Sequence, residues 1–549
     1  MRRAPLAAVS ILACILVPRS VLAQGESAVP LPAHTLRFTI GADWSHWSDR
    51  FGTFTPLKPL MIDGAREPIG TYFGAESLGT IQLPFLAPAE SQVRSLTGIS
   101  GWLLNMGRSI LTLDASWRST PIRFEYAPST RFGFSVNVPI VRARMSAFLS
   151  GPDTSIKSTL GNVGYNPAFV TAGALDGYRA QADTALRALR AQMTNGPPAL
   201  RAQATALYNA LQPLACGLYS LGAGSATSST SPCYSATPVP QSPLLPVTGS
   251  DAGDTLTSRL NQGKSSYATL AALYAAAGVT MPAFSSAYTL PAAPLDSAGV
   301  RRLFYDPNGP LAGDSLNEVV RTRLGDVELG AWFQLANGTH WRSQLAVTAR
   351  LPTGSPDSPD NFIDLPTGTH ERGVEVAMRN DFIAGRNFWL HVGGRYGTSS
   401  PDQLLRRVSP WYLPYAPLSA TALVQRKMGD YYGVDLVPNW QLDDAFDVGI
   451  GWHYYHQAAT SFSYVGDPVA EQALIGYPAS VLGEATQVER MRVGAGVTFS
   501  TLDRYARGRA RLPYRVTWSY NTTLYGRGGQ VPNDGVMSLM ISAYFGSLR

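Results

Sequence analysis

One pattern repeats through most of this sequence: runs of ten or more residues in which apolar side chains alternate with polar or small ones. The run 446–454 (FDVGIGWHY) shows it clearly, with Phe, Val, Ile, Trp and Tyr at every second position. A period of two places alternate side chains on opposite faces of a β-strand. The chain is therefore predicted to consist of strands with one apolar face and one polar, glycine-containing face.

The strands and their connections predict a barrel. We place about twelve strands, each longer than the usual five or six residues, near 35–48, 109–126, 131–148, 322–335, 340–352, 372–383, 387–398, 428–441, 445–457, 487–500, 512–524 and 536–546. The short connections are 127–130, 336–339, 384–386, 442–444 and 501–511, and the long ones are 49–108, 149–321, 353–371, 399–427, 458–486 and 525–535. Short turns alternating with long loops are typical of outer-membrane barrels. Pro121 either bends the second strand or divides it.

Composition separates this fold from a soluble β-sandwich. Charged residues are only 15% of the chain, against roughly 25% in soluble proteins. After residue 25 no stretch approaches the ~20 apolar residues of a membrane helix. Lipid offers no hydrogen bonds, so only a closed sheet satisfies the backbone of strands that cross it. The predicted fold is an all-β transmembrane antiparallel up-and-down β-barrel of about 12 strands with a helical extracellular insertion.

The first residues predict export. Arg2 and Arg3 precede an apolar segment, and the small-residue site at 21–23 predicts a signal peptide over 1–23, with the mature chain starting at Gln24. Its removal lowers the net charge from +6 to +3, and no basic run interleaved with aromatics suggests nucleic acid as a partner. The domains are then 1–23 signal peptide, 24–148 N-terminal barrel strands, 149–321 insertion and 322–549 C-terminal barrel strands.

The connection 149–321 is rich in Ala, Ser, Pro, Gly and Thr. Helical spacing appears over 178–193, over 201–211 up to Pro213, and over 265–277. Cys216 and Cys233 are the two cysteines left after signal removal, and an oxidising compartment favours a disulfide between them, the alternative being two free thiols. By strand parity the insertion lies outside the cell; a plug folded into the lumen is the alternative.

The inward-facing charges are the candidate functional residues. They either line a solute path and set its selectivity or pair with one another to brace a narrow interior. These lumen candidates are Arg123, Glu125, Asp326, Glu328, Arg350, Glu375, Arg379, Asp381, His391, Arg395, Asp435, Asp447, His453, Arg492 and Arg515. Outward aromatics would form interfacial belts, and Leu111, Leu113, Ala115 and Trp117 are assigned to the outward face of the second strand.

Motifs for catalysis are weak. The string 313–316 (GDSL) matches lipid-cleaving hydrolases, in which Ser315 would be the nucleophile, yet the one Asp-x-x-His in the chain, 43–46, lies far upstream. His453 and His456 point to opposite faces of one strand. Asp357, Asp360 and Asp364 share a loop, and a solvated loop is the commoner interpretation than a Ca²⁺ site, which needs about 6–8 oxygens. We therefore expect no enzyme activity, no catalytic residues, no metal and no cofactor.

Short stretches resemble a known family. Residues 126–131 (YAPSTR), 132–139 (FGFSVNVP), 324–330 (LGDVELG) and 351–354 (LPTG) are similar to the outer-membrane transporters of the phenol meta-pathway type, within the fatty-acid-transporter-like β-barrels. The resemblance covers roughly 109–149 and 322–400. It implies passive uptake of hydrophobic small molecules. The sequence departs from the family in the 149–321 insertion, in lacking a clear N-terminal plug, and in carrying Asn-Pro-Ala at 166–168 within the insertion.

Together these features predict an outer-membrane β-barrel channel for passive uptake of small, hydrophobic molecules. The alternatives are a structural or adhesion barrel that binds partners through its outer loops, and a membrane-embedded lipid hydrolase. The expected partners are outer-membrane lipid and lipopolysaccharide, the barrel-assembly machinery, which would read the terminal aromatic strand, and a small hydrophobic solute.

Overall fold

Twelve antiparallel strands close into a barrel in the computed structural model of this chain, as predicted. The structure describes residues 28–74, 78–105, 107–153, 163–165, 176–220, 228–235, 244–286, 290, 292, 304–307, 311–314 and 318–546. The predicted signal peptide, Ser315 and the Asn-Pro-Ala tripeptide lie outside the described residues. The chain divides into two compact units, one comprising Met1–Phe73, Leu111–Leu149 and Phe304–Arg549, the other Gly74–Ile110 and Ser150–Leu303.

The barrel strands follow one another around the sheet, and the first pairs with the last. They are β1 (Thr35–Trp47), β2 (Arg108–Ser129), β3 (Phe132–Asp153), β4 (Glu328–Asn337), β5 (Trp341–Arg350), β6 (Gly373–Ile383), β7 (Phe388–Ser399), β8 (Tyr431–Gln441), β9 (Phe446–Gln457), β10 (Val488–Ser500), β11 (Tyr514–Arg527) and β12 (Gly535–Phe545). Ile40 of β1 lies opposite Ile541 of β12 and Ile122 of β2. This closure leaves no unpaired sheet edge, which a membrane-spanning sheet requires.

The outer face of the barrel is apolar. Ile40, Phe134, Val376, Ile450 and Ile541 are each exposed by 41% or more. Water-exposed strands would carry polar side chains at these positions, whereas hydrocarbon favours apolar ones. A closed barrel with an apolar outer face is the architecture of the bacterial outer membrane, and the chain is an outer-membrane protein.

Short turns at one end of the barrel are held by side-chain hydrogen bonds to the backbone. Ser129 Oγ accepts from the backbone N–H groups of Arg131 and Phe132. Asp443 Oδ1 accepts from the N–H groups of Ala445 and Phe446 at 2.6 and 2.9 Å. Such side chains supply acceptors for the backbone N–H groups of a tight turn, so that no longer loop is needed. The turn between β10 and β11 is longer and contains the helix Leu502–Ala506.

Strand β4 continues an interrupted strand. The short strand Val319–Leu324 pairs with β3 opposite Ile140–Met145, and β4 pairs with β3 opposite Phe132–Asn137. Residues 325–327 separate the two pieces and leave the ladder, although the Gly325 N–H still donates to the Pro139 carbonyl at 2.8 Å. This interruption places Asp326 where a continuous strand would run.

The second strand corrects part of the sequence prediction. Leu111, Leu113, Ala115 and Trp117 are buried, and the polar residues between them are the more exposed. β2 has 22 residues, about twice the 9–11 needed to cross a bilayer. The alternation is therefore real, but in this part of the strand the apolar face packs inward. Pro121 lies within this single strand.

Long loops carry two small sheets of their own. The strands Asp402–Arg407, Thr421–Lys427 and Ser461–Tyr464 form one, and Asp49–Phe51, Arg66–Pro68 and Val531–Pro532 form the other. The first has a core that includes Val408, Val424 and Val481. The loops beyond the barrel are therefore folded, with the helix Pro468–Ile475 among them.

The second unit is helical. The α-helices in its described residues are α1 (Ala87–Thr97), α2 (Asp176–Asn195), α3 (Pro198–Ser220) and α4 (Asp251–Ala276), beside a two-stranded sheet of Val163–Tyr165 and Leu244–Pro246. Leu186 and Leu189 are fully buried on one side of α2. Pro213 lies inside α3, so it does not end the helix as predicted. The predicted disulfide between Cys216 and Cys233 is present, with Cα atoms 4.8 Å apart.

In the described residues, every helix is too short or too polar to cross a membrane.

Candidate functional site

The lumen of the barrel contains a cavity of about 250 Å³. Its wall comes from strands β2 to β10 and from residues 367–371 of the loop between β5 and β6. Small-molecule sites are typically about 300–1,000 Å³. The cavity therefore suits a ligand of modest size.

The structure places the predicted lumen residues in two groups. Ten border the cavity: Arg123, Glu125, Asp326, Glu328, Arg350, Glu375, Arg379, His391, Arg395 and Asp435. The other five are buried or half-buried away from it: Asp381, Asp447, His453, Arg492 and Arg515. Cavity residues that the sequence interpretation did not single out include Glu371, Tyr431, Tyr455 and Arg490. Arg490 was missed because it lies at the start of β10, before the first apolar residue of the alternating pattern in that strand.

Many inward charges are paired. Arg350 donates to Glu328 Oε1 and Glu371 Oε1, both at 3.1 Å. Asp435 Oδ1 lies 2.8 Å from His453 Nδ1, and Asp381 Oδ1 lies 2.7 Å from His391 Nδ1. Buried charges need such partners because desolvation is costly. Some of the predicted lumen charges are therefore paired with one another, and some border the cavity.

A segment ahead of β1 enters the barrel. The Ala28 N–H donates to Asp381 Oδ2 at 3.0 Å, and the Ala28 carbonyl accepts from Gln334 Nε2 at 2.9 Å. Leu31 packs with Trp332 and Ala346 in an internal apolar cluster. The chain thus has an N-terminal segment inside the lumen, which the sequence interpretation did not find because 28–34 has no periodic pattern.

The loop 351–372 borders the cavity through residues between 367 and 371 and is anchored by Asp326. Asp326 Oδ1 accepts from the Gly354 N–H at 2.9 Å, and Oδ2 accepts from the Thr369 N–H and hydroxyl at 2.6 and 2.9 Å. Arg426 Nη2 also donates to the Thr369 carbonyl at 2.7 Å. We call this loop the lid. Asp326, predicted to face the lumen, holds the lid in place from the interruption before β4.

Each of the three aspartates of the lid lies beside an arginine, Asp360 at 3.6 Å from Arg407. Arg406 binds Asp357 through both guanidinium Nη atoms at 2.6 and 2.7 Å, and Arg321 lies 2.6 Å from Asp364. Burial raises the pKa of Asp364 to about 6, an effect that outweighs the Arg321 charge and is increased by nearby Asp357. No group of residues suited to a metal ion occurs in the part of the chain that is described.

One row of side chains crosses seven strands at matched register. It runs from Trp332 of β4 through Ala346, Ala377, Arg395, Gly433 and Tyr455 to Arg490 of β10. All of these except Gly433 border the cavity. Gly433 leaves room for its neighbour, since a Cβ there would lie 2.6 Å from Arg395 Nε. We call this set the cavity row; it is apolar at the Trp332 end and basic and aromatic at the Arg490 end.

The hydrolase motif receives no support from its described parts. The Gly313 N–H donates to the Phe304 carbonyl, and the Asp314 N–H donates to the Asp360 carbonyl. Asp43 accepts from the Ser538 hydroxyl inside the barrel, whereas His46 contacts Asp114 at 2.7 Å on the exposed side. Asp43 and His46 thus engage different partners.

Comparisons with known proteins give no family. No family model matches the chain, and no curated protein matches it. Solved structures that align with this chain include an outer membrane channel from Pseudomonas putida F1, with 8% sequence identity and a TM-score of 0.40; the alignment covers 94% of this chain and 97% of that one. They also include the toluene transporters TodX from Pseudomonas putida (9%, 0.27, 95% and 95%) and TbuX from Ralstonia pickettii (8%, 0.27, 95% and 91%). These similarities are too low to carry an argument about function, and the barrel assignment rests on the strand pairing of this chain.

Proposed function

We propose that this protein is a channel for passive uptake of small, hydrophobic molecules across the outer membrane. The observation that carries the proposal is a small cavity inside a closed barrel, bordered by the lid and partly lined by apolar side chains. Trp332, Ala346 and Ala377 supply apolar wall, and Leu31 of the N-terminal segment packs against it. A solute entering this space exchanges water for apolar contacts, which favours hydrophobic molecules.

The proposal is tested in an outer membrane, because lipopolysaccharide, unlike a phospholipid bilayer, is itself a barrier to hydrophobic molecules. The full chain is produced in a Gram-negative host, and accumulation of the dye N-phenylnaphthylamine is followed by fluorescence. Cells with the protein should accumulate the dye severalfold faster than cells without it. Equal rates would contradict the proposal.

A matched pair of variants identifies the lumen as the route. Ala377→Trp adds an indole inside the cavity, whereas Ala384→Trp adds the same group at the exposed turn between β6 and β7. The first should abolish the gain in dye uptake and the second should retain it. Heat-modifiable migration on a gel reports that both barrels are folded.

We also infer the route by which the chain reaches the membrane. Residues 1–23 would be removed on export, and the strand Gly535–Phe545, which ends on an outward Phe545 exposed by 56%, would be read by the barrel-assembly machinery. Lipid and lipopolysaccharide would contact the apolar outer face. N-terminal sequencing of the protein extracted from outer membranes should give Gln24 as the first residue; an intact Met1 would contradict export by this signal.

A further inference from the structure

The basic end of the cavity row contains two arginines that lack hydrogen-bond partners for buried N–H groups. Arg490 Nη1 and Arg395 Nε are both buried without a partner, and Arg490 is only 4% exposed. A buried guanidinium N–H without an acceptor is costly, since the group has lost its water. These groups are therefore available to a ligand that brings acceptor oxygens.

The two arginines converge on one aromatic ring. The Arg490 guanidinium carbon lies 5.4 Å from the centre of the Tyr455 ring, and Arg395 extends across Gly433, which lies opposite Tyr455 in the sheet. Strand spacing of about 4.8 Å puts the Arg395 and Arg490 backbones roughly 14 Å apart along the wall. Arg395 and Arg490 thus lie on strands at either side of Tyr455, and all three residues border the cavity.

Neighbouring carboxylates do not occupy these N–H groups. Asp435 is hydrogen-bonded to His453 Nδ1, and Glu375 accepts from the Tyr431 hydroxyl at 2.7 Å. Both attract Arg395 electrostatically without a hydrogen bond to it. The adjacent Arg492 also has a buried Nη1 without a partner, but Asp534 binds its Nη2 directly. Arg395 and Arg490 are thus the less well paired cations of this region.

The other half of the same row is apolar. Ala377, Ala346 and Trp332 continue from Arg395, and Trp332 lies across Gly133, where a Cβ would meet its ring at 2.4 Å. Gly133 is the second residue of β3, next to a short turn, whereas Arg490 is the third residue of β10, next to a long loop. Strand stagger thus carries the row from the long-loop end toward the short-turn end.

We propose that the cavity binds small organic carboxylates, with the carboxylate held by Arg490 and Arg395 over Tyr455 and the apolar body along Ala377, Ala346 and Trp332. Guanidinium groups bind carboxylates through directed pairs of N–H donors, and a single aromatic ring suits a cavity of about 250 Å³. The inference rests on the proposed function and narrows the class of solute to amphipathic anions. A neutral hydrocarbon would leave the two arginines without acceptors for their buried N–H groups.

The test compares benzoate with benzamide, which has nearly the same shape and no charge. The full chain, purified from outer membranes in a zwitterionic detergent, is titrated with each compound by calorimetry. Benzoate should bind at least about tenfold more tightly than benzamide. Equal affinities, or no benzoate binding, would overturn the proposal.

Variants assign the effect to the cavity row. Arg490→Gln and Arg395→Gln should each weaken benzoate binding by about tenfold or more and benzamide binding by clearly less, because a charged acceptor loses more than a neutral one. Arg490→Lys should recover part of the loss. The matched control is Arg144→Gln, which removes an exposed arginine of β3 that pairs with Glu318. This variant protein should bind benzoate as tightly as the parent does. Unchanged benzoate binding in both cavity variants, or an equal loss in the control, would overturn the proposal.

Because binding is measured without transport, a failure of dye uptake and a failure of carboxylate binding are distinguishable.

Discussion

Arg492 and Asp534 form a buried ion pair inside the barrel, with Arg492 Nη2 hydrogen-bonded to both carboxylate oxygens at 2.5 and 2.7 Å. Their side chains are each 1% exposed. Asp534 also accepts from the Ser45 and Thr523 hydroxyls at 2.9 and 2.7 Å. One carboxylate thereby joins β1, β10 and β11 to the loop that precedes β12.

Removing one member of this pair should destabilise the barrel strongly. Asp534→Asn leaves Arg492 as an uncompensated buried charge, and we expect a loss of about 3–5 kcal/mol in the free energy of unfolding. Urea unfolding in detergent micelles, followed by tryptophan fluorescence, measures it. The control is Asp63→Asn, which breaks the exposed pair with Arg527 and should cost about 0–1 kcal/mol. Similar losses in the two variants would contradict the structural assignment.

The lid should depend on Asp326. Asp326→Ala removes the acceptor of three hydrogen bonds, from the Gly354 N–H and from the Thr369 N–H and hydroxyl. Hydrogen bonds to a charged group contribute about 1.5–3 kcal/mol each, so amide exchange at Gly354 and Thr369 should accelerate at least about tenfold. Dye uptake should rise as the lid opens.

Hydrogen exchange read by mass spectrometry reports on lid peptides, and Asp326→Asn is the control because its amide oxygen still accepts. The Asn variant should lie between the parent and Asp326→Ala. Exchange that is identical in all three proteins would show that Arg426 and the remaining lid contacts hold the loop without Asp326.

Alternation predicted the barrel well because lipid acts on every outward residue separately. Phe446, Ile450 and Trp452 of β9, for example, are all less buried than Gly451 and His453, which face inward. The same signal failed at Leu111 and Trp117, since a strand longer than the bilayer can bury its apolar face on protein. An alternating pattern identifies two faces and does not say which one meets lipid.

Contacts between distant parts of the chain could not be predicted in this way. Ala28 and Asp381 are 353 positions apart, and the segment at 28–34 carries no pattern that points to the lumen. Asp326 was predicted to face the lumen, and it borders the cavity. Its role as the lid anchor depends on Gly354 and Thr369, which lie in a loop with no periodicity. Local sequence therefore predicts the strands of the barrel wall. The N-terminal segment in the lumen and the contacts of the lid follow from tertiary packing.

The disulfide should stabilise the helical unit without affecting the barrel. Cys216 and Cys233 are 17 positions apart, and closing a loop of this size contributes about 3 kcal/mol by the chain-entropy estimate. The double variant Cys216→Ser/Cys233→Ser should make the arginines of α2 sensitive to trypsin. Heat-modifiable migration of the barrel should stay unchanged. Resistance to trypsin equal to that of the parent would mean that the helical core is sufficient by itself.

The lid should loosen as pH rises through the range in which Asp364 ionises. Burial raises the pKa of Asp364 from 3.8 to about 6 in the folded protein, so the folded lid binds the proton more tightly than the open lid does. The stability linked to that proton is fully present below pH ~4 and is lost as pH rises through about 6. Because one proton is involved, the equilibrium constant for lid opening rises by at most tenfold for each pH unit. After correction for intrinsic exchange, lid peptides should exchange faster at pH 7 than at pH 4.5.

Asp364→Asn isolates this effect. The amide cannot ionise, and it still offers an oxygen to the Ser358 N–H, which donates to Asp364 Oδ2 at 2.8 Å. Its lid exchange should therefore be independent of pH between 4.5 and 7. The reverse slope in the parent, with a lid that is more protected at pH 7, would mean that the ion pair with Arg321 outweighs burial. In that case Arg321→Gln would remove the slope as well, and the carboxylate of Asp364 would be the form that closes the lid.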